Sequence, residues 1–339
     1  MTLQTGRLGR AALLMFGVCL GTAALEVTAT LIQRARPAKD GYAPVRGRGS
    51  REPLNALGYR DTEHQKAKPQ GVRRIVFIGD SFTHGVGIQF DDTYGKRVER
   101  TLALKHAGTW ESIVLAVPGI GTEEETAIVE NEALDFQPDI LVLGYVLNDA
   151  EETDAAERRR AIAWTQAQEA KRHPAPWRRS ALLSLVADRL DAARQNRLRI
   201  ENHRALYRED APGFRKARNG IERIARRCRD RGVRFIGVIF PLFANPLDAA
   251  YPFEEIHRKV AGIFRAAGAG VVDLLPYYRD MDWRLLVVEG ERDEHPNELA
   301  HRIAAQALAS AIESSLSEQP FEARVETRTT ADHHADRKR

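Results

Sequence analysis

Short, largely apolar runs recur along this chain at Ile75–Ile78, Ile113–Val117, Ile140–Leu147, Val233–Phe240 and Gly270–Leu275. Each is too brief for an amphipathic helix and too continuous for a strand with one wet face. Such runs predict strands buried on both faces, as in a parallel sheet. Helical spacing fills the gaps. Asp91–His106 carries Tyr94, Val98, Leu102 and Leu104, and Thr122 opens a segment with Glu123–Glu125 in its first turn, where the helix dipole favours acids. Ile221–Arg231 and residues 253–266 read as further helices. Asn297 is a natural N-cap for a last helix, with Leu299, Ile303, Leu308, Ile312 and Leu316 on one face. Alternating strands and helices predict an α/β, doubly wound parallel sheet of about five strands.

Net charge is +4 across 51 basic and 47 acidic residues, which leaves no nucleic-acid footprint. Cys19 and Cys228 give no disulfide framework. At the N-terminus Arg7 and Arg10 precede an apolar run from Ala11 to Leu25, and beyond Glu26 it continues from Val27 to Ile32. Residues 11–32 as one helix would span ~33 Å, enough to cross a bilayer. A cleaved secretory signal is the other reading, with the uncleaved anchor preferred. Either way the rest of the chain is exported, to a bacterial periplasm or cell surface, with the N-terminal arginines inside.

The expected organisation is an anchor or signal over 1–36, a linker and lead-in over 37–72, an α/β domain over 73–317 and a disordered tail over 318–339. Residues 150–231 carry 21 Lys or Arg against 12 Asp or Glu. They read as a basic helical insert, either a solvated surface or a dock for an acidic envelope polymer or lipid headgroups.

The chemistry-bearing residues cluster at strand ends. The first run breaks at Gly79 into Asp80 and Ser81, with Gly85 and Gly87 following. Open α/β sheets bind ligands at such carboxyl ends, although Gly, Asp and Ser are also ordinary turn formers. The second run ends in Pro118-Gly119-Ile120-Gly121, and the third in Asn148-Asp149. Near the C-terminus stands Glu291-Arg-Asp-Glu-His-Pro-Asn-Glu298.

G-D-S-F-T-H-G after a hydrophobic strand resembles the first block of the SGNH (GDSL) hydrolase superfamily, whose fold is flavodoxin-like. V-P-G-I-G-T resembles the second block and implies that the Gly119 amide serves the oxyanion hole. The asparagine usual early in that strand is absent, since Val114, Leu115 and Ala116 stand there. Asn148 after the third strand resembles the third block, and D-E-H-P-N the last, with two residues rather than the more usual three from Asp293 to His295. Asn55-Ala-Leu-Gly-Tyr-Arg-Asp61 resembles a segment that precedes the catalytic strand in membrane-tethered members. The resemblance covers about residues 55–315.

It implies an exported serine esterase acting on short-chain or O-acetyl esters. Ser81 would be the nucleophile, which needs a base to take its proton. His295 would be that base and later the acid, and Asp293 would fix the imidazole tautomer. The Ser81 amide, the Gly119 amide and the Asn148 side chain would hold the oxyanion. No metal or organic cofactor is implied. The expected partners are an ester-bearing substrate, such as an acetylated envelope glycan or a lipid, and the membrane through the N-terminal helix. An O-acyltransferase with the same triad and a non-catalytic flavodoxin-like binding module are the alternatives.

Overall fold

A computed structural model describes residues 3–35, 54–151, 180–243, 245–288 and 294–317. The expected tail and the N-terminal part of the basic insert lie outside the described residues. The chain forms two compact units, Met1–Gly41 with Ala156–Asn202, and Tyr42–Ala155 with His203–Arg339.

The second unit is built on strand β1 (Val72–Gly79), whose Ile75, Val76, Phe77 and Ile78 are fully buried. Removing each such side chain from water contributes about 1.5–3 kcal/mol, and β1 takes an interior position in the sheet. It pairs in parallel with β2 (Thr109–Ala116) on one side and β3 (Ile140–Tyr145) on the other. Next to β3 follow β4 (Arg234–Ile239) and β5 (Gly270–Asp273), giving the order β2-β1-β3-β4-β5. This is the doubly wound arrangement the apolar runs predict. Its strand order reverses between β1 and β3, the place where such sheets bind ligands.

The covering helices are α2 (Ser81–His84), α3 (Tyr94–Lys105), α4 (Thr122–Asn131), α6 (Pro212–Asp230), α7 (Glu254–Ala266) and α8 (Glu298–Ser317). Helix α3 packs on α8, while α4 packs on α6 and α6 on α7. Helix α6 starts nine residues ahead of its expected position, because Pro212 supplies a favourable first helical residue. Phe214, Ala217, Ile221, Ile224 and Cys228 bury its inner face. The C-terminal part of the basic stretch is thus the sheet's own crossover helix.

Gly79 and Gly144 sit side by side on β1 and β3. A Cβ at Gly79 would meet Thr83 Oγ1 at 2.1 Å, and one at Gly144 would meet the same atom at 2.3 Å and the Tyr94 hydroxyl at 2.6 Å. The two glycines therefore let α2 and α3 settle directly on the sheet, with Thr83 and Tyr94 hydrogen-bonded at 3.0 Å.

Helix α3 begins without a side-chain cap from Thr93. Its exposed-donor problem is met from α8, where buried His301 accepts the Tyr94 N–H through Nδ1 at 3.0 Å. That role demands an unprotonated Nδ1. Burial, with help from the charges of Arg97, His295 and Arg60, depresses the imidazole from 6.5 to about 3. The unfolded chain therefore takes up the proton first, and the contribution of the neutral ring is complete above pH 6.5 and lost between 6.5 and about 3. His301→Asn keeps an acceptor and removes the titration. Denaturant unfolding across this window should show wild type losing stability more steeply than the variant, by up to about one proton's slope. Parallel slopes would locate the acid sensitivity elsewhere.

The first unit holds α1 (Leu3–Ala35) and α5 (Ala181–Leu206) as far as Asn202. Within α1, Leu13–Ile32 is long and apolar enough to cross a membrane, with a mean hydropathy of 1.7.

Candidate active site

Strand β1 ends by delivering Asp80 and Ser81 to the carboxyl edge of the sheet. Asp80 is fully buried and caps α2, its Oδ1 accepting the Phe82 N–H at 2.9 Å. Its Oδ2 accepts both the Ser81 hydroxyl and the Asn148 Nδ2–H, each at 3.4 Å. One carboxylate oxygen thus brings the serine and the asparagine to the same place. Burial raises the Asp80 carboxyl, while the Phe82 amide, the Asn148 amide and the His295 charge work against that rise. Helix α2 closes at Gly85, whose φ of +76° suits glycine and whose N–H returns to the Ser81 carbonyl at 3.1 Å.

Gly119 follows β2 with φ +82° and open space where a Cβ would stand. Glycine is required there by conformation, not by crowding. Asn148 follows β3 in a turn closed by Asp149, whose Oδ2 accepts the Val146 N–H at 2.9 Å. The Asp149 carbonyl accepts the Thr122 N–H at 3.3 Å, and a Cβ on Gly121 would stand 2.9 Å from that oxygen. The ends of β2 and β3 are joined there. Asn148 Oδ1 is buried without a hydrogen-bond partner, while Nδ2 keeps a second N–H beyond the one spent on Asp80.

His295 precedes α8, its ring centroid 5.6 Å from that of Phe82, the residue after Ser81. Its carbonyl accepts the Val288 N–H at 3.0 Å, and Pro296 bridges to Val287. Asn297 caps α8 through Oδ1, to the amides of Leu299 and Ala300, and its Nδ2 holds the carbonyls of Leu285 and Val287. Val288 in turn lies against Gly87 of the serine loop, where an added Cβ would meet it at 2.7 Å. Asp293 and Glu291 lie outside the described residues.

Two features of this region have contacts that the sequence does not disclose, although Asn55–Asp61 stands out in it as a motif. Residues 37–72 read as a linker, yet from Leu54 onward the chain is docked. Asn55 Oδ1 accepts the amides of Leu57 and Tyr59, and Arg60 and Asp61 are buried. Asp61 accepts the Val114 N–H on β2 at 2.6 Å and pairs with Lys96 at 3.0 Å. Arg60 donates through Nη1 to the His84 and Gly85 carbonyls and through Nη2 to that of Ile88, at 3.2, 2.8 and 2.8 Å. The guanidinium fork ties down the loop that follows Ser81. It also stands beside His84, whose ring is depressed to about 4, by burial first and then by the Arg60 and His295 charges.

The second is Glu125. Expected as an acid in a first helical turn, it is fully buried, with neither oxygen hydrogen-bonded among the described residues. Burial, then the nearby Asp80 charge, raises it well above the ordinary carboxylate range.

Arg60 reaches Ser81 only through the loop it holds, so its expected role is that of a positioning residue. Arg60→Lys keeps the charge but not the fork. Its kcat toward an aryl acetate should fall about tenfold with KM within about twofold, as expected when a reacting group is slightly misplaced. A lower melting point with unchanged kcat would reduce Arg60 to a strut.

An open α/β sheet with a serine and an asparagine meeting at its switch point, a left-handed glycine after β2 and a histidine packed on the residue after the serine has the groups of a serine hydrolase. The GDSL-like Lipase/Acylhydrolase family model matches residues 77–303 of the 339. The chain belongs to that family, and it is an enzyme acting on ester bonds. Among curated proteins no match was found. Similar solved structures include the lipase/acylhydrolase from Enterococcus faecalis, 16% identical over 72% of this chain and 96% of that one, with a TM-score of 0.44. Another is Axe2, an acetylxylan esterase from Geobacillus stearothermophilus, 13% identical over 71% and 94%, with a TM-score of 0.45. A third is TesA, 10% identical over 71% and 99%, with a TM-score of 0.43.

Proposed function

We propose that this is an exported, membrane-anchored esterase that removes short acyl groups, O-acetyl above all, from a cell-envelope substrate through an acyl-Ser81 intermediate. The observation that carries the reading is the convergence of Ser81 and Asn148 on one Asp80 oxygen, with the His295 ring packed on Phe82 beside them. Ser81 Oγ attacks the ester carbonyl as His295 takes its proton. The oxyanion is held by the amides of Ser81 and Gly119 and by the second N–H of Asn148, each donor worth about 3 kcal/mol of barrier. His295 returns the proton to the departing alcohol. Water, deprotonated by the same imidazole, then releases the acid and frees Ser81. Asp293 orients the imidazole, and Asp80 keeps the Asn148 amide aimed at the reacting carbonyl. Anchoring rests on the apolar span of α1.

The test is steady-state acetate release from aryl acetates and from acetylated glycans with water as the sole acceptor. Sustained turnover is expected. A stall after one acyl equivalent that a deacetylated glycan relieves would make the enzyme an O-acyltransferase.

A further inference from the structure

Glu26 lies inside the apolar span Leu13–Ile32, six residues before its C-terminal end. At 1.5 Å per residue that is about 9 Å below the edge of the span. A carboxylate at such depth is costly unless donors meet it. Its donors come from α5: the Ser180 hydroxyl at 2.8 Å, the Ala181 N–H at 2.5 Å and the Leu182 N–H at 3.1 Å. The helix dipole of α5 favours the same charge. Helix α5 therefore starts at the depth of Glu26, beside the span.

None of the residues of α5 is buried in the protein. Leu183, Val186 and Leu190 are 49%, 48% and 66% exposed. Their spacing puts them on one stripe of the helix. Arg194 and Arg197 continue that stripe over the next two turns, and neither makes an ion pair among the described residues. By contrast, the arginines of α6 that approach acids are already matched, Arg223 and Arg227 with Glu130 and Arg218 with Glu209. An apolar stripe that begins at membrane depth and turns basic one helical length later matches the profile of a bilayer, acyl chains first and phosphates next.

We propose that residues 181–197 form a membrane-surface helix pinned to the anchor by Glu26. Leu183, Val186 and Leu190 enter the acyl boundary, and Arg194 and Arg197 meet anionic headgroups. This rests on the anchor reading of α1. The occupant of the stripe is lipid.

The test uses the full chain with Cys19→Ser, reconstituted in vesicles of phosphatidylcholine and phosphatidylglycerol. Cys228 is left in place, since it is buried and its thiol is pushed up to about 12. An environment-sensitive fluorophore is attached at Leu190→Cys, at Ala192→Cys on the opposite face, or at Phe16→Cys within the span. Nitroxide lipids should quench the label at 190 about fivefold more than at 192, and aqueous iodide the reverse. Adding Glu26→Leu to the 190 variant should bring its quenching down to the level at 192. Equal iodide quenching at 190 and 192, with the label at 16 in lipid, overturns the proposal and leaves the anchor standing. A label at 16 open to iodide removes the anchor and the proposal with it. Protection of 190 from both quenchers assigns the stripe to a protein partner, such as a second copy, and overturns the lipid assignment.

Discussion

Ser81→Ala is expected to lose ester cleavage by about 10⁴-fold or more, the scale seen when a hydrolase loses its nucleophile. A fluorophosphonate probe should label the wild-type chain at Ser81 and leave the variant unlabelled. Stability should barely change. Ser81 is only half-buried and its hydroxyl makes one long bond, at 3.4 Å, to a carboxylate that keeps its other partners. The thermal midpoint therefore serves as the folding control. If the alanine variant is labelled equally, Gly79-Asp80-Ser81 is a turn and the nucleophile lies elsewhere.

Asp293→Asn should follow at about 10⁴-fold in kcat/KM near neutral pH, because an amide can hold the imidazole in the wrong tautomer. The choice among Glu291, Asp293 and Glu294 comes from chain geometry. The His295 carbonyl takes the Val288 amide and Pro296 bridges to Val287. In extended chain, neighbours point to opposite sides and residues two apart share a side. Were residues 293–295 extended, Glu294 would face away and Asp293 would share the imidazole's side, while Glu291 would need a longer, looser reach, so Asp293 is the acid proposed here. Glu291→Gln and Glu294→Gln should each cost less than about tenfold, with circular dichroism excluding misfolding. A large loss at Glu291 beside a small one at Asp293 reverses the assignment.

The sheet was legible because its strands are buried on both faces, and such strands carry an uninterrupted apolar signal. The runs that begin at 75, 113, 140, 233 and 270 each overlap a strand of the sheet. The strand ends were legible for the same reason, since a turn must follow where the apolar run stops. Arg60 was not, because its partners are carbonyls 24 to 28 residues away and a carbonyl has no residue type. The burial of Glu125 was not legible for a related reason. An acid in a first helical turn suits the dipole wherever the helix lies, and only the packing of α4 shows that this one is dry. His301 sits on a helix face that reads as apolar from its leucines and isoleucines, and its duty to the first amide of α3 is set entirely by tertiary contact.

The docked stretch from Leu54 to Asp61 lies on the chain's only covalent path from α1 to the sheet, which bears on how the enzyme can be released. A protease cutting upstream of Leu54 would leave a fragment that keeps its guanidinium clamp and is still tied to α1 through the Glu26 contacts of Ser180–Leu182. A cut between Asp61 and Val72 would leave the same sheet and the same serine, with the clamp held only by its contacts. A soluble expression product that begins at β1, a natural choice by secondary structure, would discard the clamp altogether. The residues from Leu54 onward belong with the sheet they clamp.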